Sequence, residues 1–225
     1  MVSKREIWGS LVAVAALMVG LVALALAARF IPARELPSQA LIPLMAIFEA
    51  SLILPPWFIV LRRHRGSWSH LGFRRFNPLY LVVGGVLFAL SLLINLIWGL
   101  ILIQFNLEMQ PEILPLFGEG RGGFFLALVV VSLIAPLAEE AFFRGFLFAG
   151  LKEHYGLGRA MLFSALIFTL FHLSPTSFLP IFFLGCFLAL LYHLSGSLWP
   201  SVLMHATMNT LALTVSYLSQ GFPRL

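Results

Sequence analysis

The chain has 225 residues, of which 60% are hydrophobic and 10% charged, against about 25% charged in an average soluble domain. A net charge of +5 and a mean hydropathy of +0.99 exclude a soluble or disordered chain and place the protein in the membrane class. The apolar runs are too long and unbroken for barrel strands, so an all-α fold is predicted: a polytopic transmembrane bundle of about seven spans.

The first span, 8–29, follows Lys4 and Arg5. A secretory signal cleaved at Ala25-Leu26-Ala27 is one reading, but the apolar stretch of about 20 residues exceeds the 7–15 of a signal core, so an uncleaved helix is expected. The second span, 38–61, holds Glu49, Ser51 and Pro55-Pro56. Glu49 reads either as a partner for a polar group on another helix or as a substrate or proton contact, and the sequence does not choose. A basic segment, RRHRGSWSHLGFRR (62–75), leads to the third span, 79–104. Residues 105–123 form a long connection with a short interfacial helix expected around 111–118. Spans four to seven are predicted at 124–150, 159–173, 177–194 and 198–218. Cys186, the single cysteine, lies in an apolar run and permits neither an internal disulfide nor a cysteine metal site. His64, His70 and His154 sit in basic loops and read as solvated, and His193 as interfacial.

Charge asymmetry orients the bundle. Nine basic residues (Lys4, Arg5, Arg62, Arg63, Arg65, Arg74, Arg75, Lys152, Arg159) fall on one side and four (Arg29, Arg34, Arg121, Arg224) on the other, together with Glu35, Glu108, Glu112 and Glu119. This predicts a cytoplasmic N-terminus and an exterior C-terminus. The basic cluster is short and hugs a membrane edge, so no nucleic-acid partner is expected. Residues 1–225 read as a single membrane domain, with 1–104 as packing helices and 124–218 as the half that carries polar groups.

Three polar clusters stand inside that second half. In PLAEEAFFRGFLFA (136–149), Glu140 lies one helical turn before Arg144, the favourable order for an ion pair, whereas Glu139 has no counter-ion on its own helix. FTLFH (168–172) puts Phe168 and His172 on one face, and HATMN (205–209) does the same for His205 and Asn209. Ionisable residues within a membrane are functional candidates by default. An unpaired acid with histidines can activate water, and a second histidine with an asparagine can donate to an oxyanion. That layout points to hydrolysis of an acyl bond. A zinc set of Glu139, His172 and His205 is an equally legitimate reading of the residue types. A serine nucleophile (Ser164 or Ser174 with His172, or Ser201 with His205) leaves the glutamates unused. A non-catalytic scaffold or immunity protein, and a proton-coupled transporter relaying through Glu139 and Glu140, are the readings from other classes.

The three clusters, in this order, resemble the EExxxR, FxxxH and HxxxN motifs of the type II CAAX prenyl endopeptidases, the CPBP or Abi family of intramembrane proteases. GSLWPSVLMHATMN (196–209) is similar to that family's lead-in to its last motif, and SHLGFRRFNP (69–78) to its short basic segment before the third helix. The resemblance implies a glutamate-dependent protease without a metal cofactor. Glu139 and His172 would activate water. His205 and Asn209 would hold the carbonyl and its oxyanion, and Glu140, Arg144 and Phe168 would support them. It further implies a membrane-associated or prenylated peptide substrate cut near its C-terminus, a lipid bilayer around the enzyme, and a bacterial plasma membrane as its location.

Overall fold

A computed structural model describes residues 2–28, 42–107, 113–118 and 120–219. Seven helices run through it: α1 (Lys4–Ala28), α2 (Ile42–Arg63), α3 (Leu79–Gln104), α4 (Gly120–Tyr155), α5 (Leu157–Phe171), α6 (Phe178–Ser195) and α7 (Leu198–Ser219). No strand occurs among the described residues. The protein is a helical membrane bundle, and its helix count agrees with the seven predicted spans. Five helices are long and apolar enough to cross a bilayer on their own. Helix α5 has only 15 residues, about 22 Å at 1.5 Å per residue against a core of about 30 Å. Helix α7 is diluted by His205, Thr207, Asn209, Thr210 and Thr214. Apolar side chains such as Val12, Val82, Leu96, Ile103 and Phe125 face outward and are exposed, which is the surface a bilayer covers.

The predicted interfacial helix around 111–118 is a single 3-10 turn, Leu114–Phe117. Arg29, Arg34, Arg224, Glu35, Glu108, Glu112 and Glu119 lie outside the described residues, whereas Ala25-Leu26-Ala27, the proposed signal cleavage site, falls within helix α1. The basic side does assemble as one end of the bundle. Glu6 bridges to Arg63 at 3.2 Å and His64 at 3.1 Å. His154 bonds the Val2 carbonyl at 2.9 Å, Ser67 and His70 cap the 3-10 turn Trp68–Leu71, and Arg74 donates to the Gly196 carbonyl. His64, His70 and His154 are therefore not merely solvated, as their loop positions suggested. His64 and His154 each tie one segment to another, and His70 caps its own turn.

Inside that end the core is closed. Phe142, Phe146, Phe148 and Leu151 of α4 pack with Ile7 and Leu71 and are all buried. Gly145 makes the closure possible: a Cβ there would sit 2.6 Å from the Leu71 carbonyl oxygen, so the basic segment can press against α4 only because that position has no side chain.

Candidate active site

Helix α4 is not a uniform α-helix. Leu128–Ile134 and Ala141–Phe148 are π-helical and flank a short α segment, Ala135–Glu140. Such wide turns are rare and cluster at functional sites. The first has a consequence for the site. The Ala135 N–H reaches back to the Val130 carbonyl, so Val131 loses its usual donor, and the next residue along, Pro136, has no N–H to offer. Asn209 of α7 supplies the missing donor: its Nδ2 bonds the Val131 carbonyl at 2.8 Å. A buried carbonyl left without a partner is unfavourable, so this bond both fixes Asn209 and staples α7 to α4.

One turn further, Arg144 and Glu140 are both fully buried. Arg144 Nη1 donates to Glu140 Oε1 at 2.8 Å, and Nη2 donates to the Gly185 carbonyl at 3.3 Å. The guanidinium also lies over the Phe168 ring, 4.2 Å from its centroid, a favourable cation–π geometry. Gly185 lets α6 approach α5 closely, since a Cβ there would lie 3.1 Å from Ala165 Cα. His205 Nδ1 is 3.0 Å from the same Glu140 Oε1. With a carboxylate as acceptor, Nδ1 carries the proton. Its other nitrogen, Nε2, lies 3.9 Å from Glu139 Oε2. Glu140 thus holds two cationic or donor groups in place, and His205 in turn faces the acid next door.

His172 stands where α5 stops. Its Nδ1 lies 2.8 Å from the Phe168 carbonyl, which can only accept, so Nδ1 is the protonated nitrogen and Nε2 keeps its lone pair. Leu173 has φ +50°, a left-handed conformation that ends the helix and is uncommon outside glycine. Residues 172–177 then run without helix to α6, and Trp98 of α3 pins them by donating to the Thr176 carbonyl at 2.6 Å. Phe168 is the hub of the group: its ring meets His172 at 4.5 Å and His205 at 5.7 Å between centroids, besides the Arg144 face.

A cavity of about 660 Å³ opens on these residues. Glu139, His172, His205 and Asn209 all line it, while Glu140, Arg144 and Phe168 stand behind its wall. The lining comes from 45–52 of α2, Asn95, 113–114, 130–143 of α4, 171–184, and 205–219 of α7. Every one of these segments lies in the half of the bundle away from the basic end. A smaller cavity of about 350 Å³ at the basic end shares no lining residue with it. Glu49 and Asn95 bring α2 and α3 into the site, so the division into a packing half and a polar half is less sharp than the sequence suggested. Ser177, which no motif marks, also lines it.

Residues 121–211 match the family model described as type II CAAX prenyl endopeptidase Rce1-like. The chain carries an Rce1-like region. A Bacillus subtilis (strain 168) protein named "Putative membrane peptidase YdiL" is 32% identical over 85 residues, which are 38% of this chain and 35% of that protein. The match thus spans about a third of the curated relative's length. No solved structure matches the chain significantly. The Rce1-like region contains Glu139, Glu140, Arg144, Phe168, His172, His205 and Asn209, whereas Glu49 and Asn95 lie outside it.

The other chemistries fare differently in this geometry. Among the described residues, no three His, Cys, Asp or Glu side chains are gathered as a metal-ligand set. Ser164 donates to the Phe143 carbonyl and Ser201 to the Leu188 carbonyl, each at 3.1 Å, which turns both hydroxyls away from the histidines proposed for them. The Ser174 hydroxyl is buried with no hydrogen-bond partner.

Proposed function

We propose that the protein is an intramembrane endopeptidase that hydrolyses a peptide bond of a membrane-associated or prenylated chain, near that chain's C-terminus, with water as the nucleophile. The observation that carries this reading is the convergence of Glu139, His172, His205 and Asn209 on one cavity inside the bundle. The Rce1-like match over 121–211 supports the same reaction class.

In the proposed reaction a water molecule sits between Glu139 and the free Nε2 of His172. Glu139 takes a proton as the water oxygen bonds to the scissile carbonyl carbon. The carbonyl oxygen becomes an oxyanion, held by His205 Nε2–H in its protonated form and by the second amide hydrogen of Asn209, the first being spent on Val131. The tetrahedral intermediate collapses, the C–N bond breaks, and the proton from Glu139 goes to the departing amine. One water is consumed, and a carboxylic acid and an amine are formed. No metal takes part in this scheme, zinc being the alternative to it. With the N-terminus cytoplasmic, as the basic end suggests, the cavity belongs to the outer half of a bacterial plasma membrane.

The test is Glu139→Gln. Cleavage, followed by mass spectrometry of peptide termini in membranes with and without the variant, falls by about 10²-fold or more, while the unfolding temperature in detergent is unchanged. Turnover close to that of the parent would remove Glu139 from the reaction. Exhaustive chelation leaves activity intact in this scheme, and a loss restored by zinc would replace it with the metal alternative.

A further inference from the structure

Three polar groups on the cavity wall are left without partners. Glu49 Oε2 and Glu139 Oε2 are buried and make no hydrogen bond, and so is the Ser177 hydroxyl, on a residue only 5% exposed. Among the described residues, no lysine or arginine lines the cavity. Arg144, the nearest guanidinium in the chain of contacts, is committed to Glu140 and Gly185 behind Phe168. Two carboxylates from different helices therefore face one largely apolar space that no lysine or arginine lines, and the basic group described beside them, His205, has its Nε2 3.9 Å from Glu139. An uncompensated carboxylate removed from water is unfavourable, and a cation brought in from outside relieves it. Glu139 is occupied by the water reaction. Glu49 has no such duty, and the Rce1-like match does not reach it.

The surroundings of Glu49 suit one kind of visitor. Met45, Phe48 and Leu52 occupy the same stretch of α2 and line the same cavity, so an apolar wall precedes a single acidic group. Long basic side chains have that shape, an aliphatic stem with a charged end. We propose that Glu49 forms a subsite for a lysine or arginine side chain of the substrate close to the scissile bond. The assignment rests on the endopeptidase reading and gives it a substrate preference. An uncharged side chain of equal length fills the apolar wall but leaves Glu49 bare. An acidic one adds a third like charge.

The experiment uses the full chain in detergent and three hydrophobic decapeptides that differ only at the central residue: lysine, norleucine or glutamate. Binding is measured on the Glu139→Gln protein, where nothing is cut, and cleavage on the parent. The lysine peptide binds about tenfold more tightly than the norleucine peptide, is cut faster, and the glutamate peptide is last in both. In Glu49→Gln, alone for cleavage and combined with Glu139→Gln for binding, the ratio of lysine to norleucine collapses to near unity. Equal binding of the lysine and norleucine peptides, or a preference that survives Glu49→Gln, overturns the subsite. Cleavage without preference refutes the subsite and leaves the endopeptidase standing, whereas preferential binding without any cleavage does the reverse. Should Glu49→Gln fail to fold, Glu49→Asp and the charge series on the unaltered residue decide the matter.

Discussion

The basic end of the bundle and the cavity half handle polar groups in opposite ways. At the basic end, Glu6, Arg63, His64, His154, Arg74 and Ser197 find partners in neighbouring loops, and beneath them an aromatic core closes the bundle. In the cavity half, carboxylate and hydroxyl atoms of Glu49, Glu139 and Ser177 are buried and unpaired. Between the two lies the Glu140–Arg144 pair, fully enclosed and held by ring and carbonyl contacts. Pairing at a water-exposed edge asks little of the fold. Unpaired groups in a membrane interior survive only where they meet water or a ligand. The contrast singles out the same cavity as the proposed reaction, without any motif.

Substitutions can break or sharpen that contrast. Glu140→Ala has the largest expected effect: it strands Arg144 and releases His205, and breaking such a buried pair costs about 3–5 kcal/mol, read as a large drop in unfolding temperature together with lost cleavage. A variant as stable as the parent would show that the pair is not what holds this layer together. Asn209→Ala leaves the Val131 carbonyl without a donor at a cost of about 1–3 kcal/mol. Because the same residue is proposed to face the oxyanion, activity falls further than stability does, and parallel losses in the two measurements would assign Asn209 to stapling alone. Trp98→Phe removes the donor to the Thr176 carbonyl, worth about 1 kcal/mol, and loosens 172–177, so proteolytic nicking of that segment in detergent should rise. Arg63→Ala sits at the other extreme: its pair with Glu6 is exposed on the arginine side, with 63% of that side chain accessible, and its removal shifts stability by less than about 0.5 kcal/mol. A shift as large as that of Asn209→Ala would erase the distinction between the two ends.

Much of the site was legible along the chain because helical spacing is local. Glu140 and Arg144 meet as their four-residue separation requires, and Phe168 sits beside His172 for the same reason. What the spacing concealed is the traffic between helices. His205 was expected to face a substrate carbonyl, and it also donates to Glu140 through its second nitrogen. Asn209 was expected at an oxyanion, and one of its amide hydrogens is spent on Val131. Pro136 was the available signal for that bond, since a proline inside a helix always leaves a carbonyl looking for a donor. Glu49 was visible as an acid in a span, but its place beside Glu139 depends on how α2 packs against α4.

Composition and hydropathy alone determined that this chain is a bundle of apolar helices with a basic edge, because the transfer of residues into lipid depends on their type and not on their neighbours. Repeat spacing within each helix determined which polar residues share a face. Tertiary structure alone decided that four of those residues from three helices open on one cavity, that Glu49 joins them, and that Arg144 does not. Those outcomes depend on the π-helical turns of α4, the close approach at Gly185 and the early end of α5, and each of these reflects contacts between segments far apart in sequence.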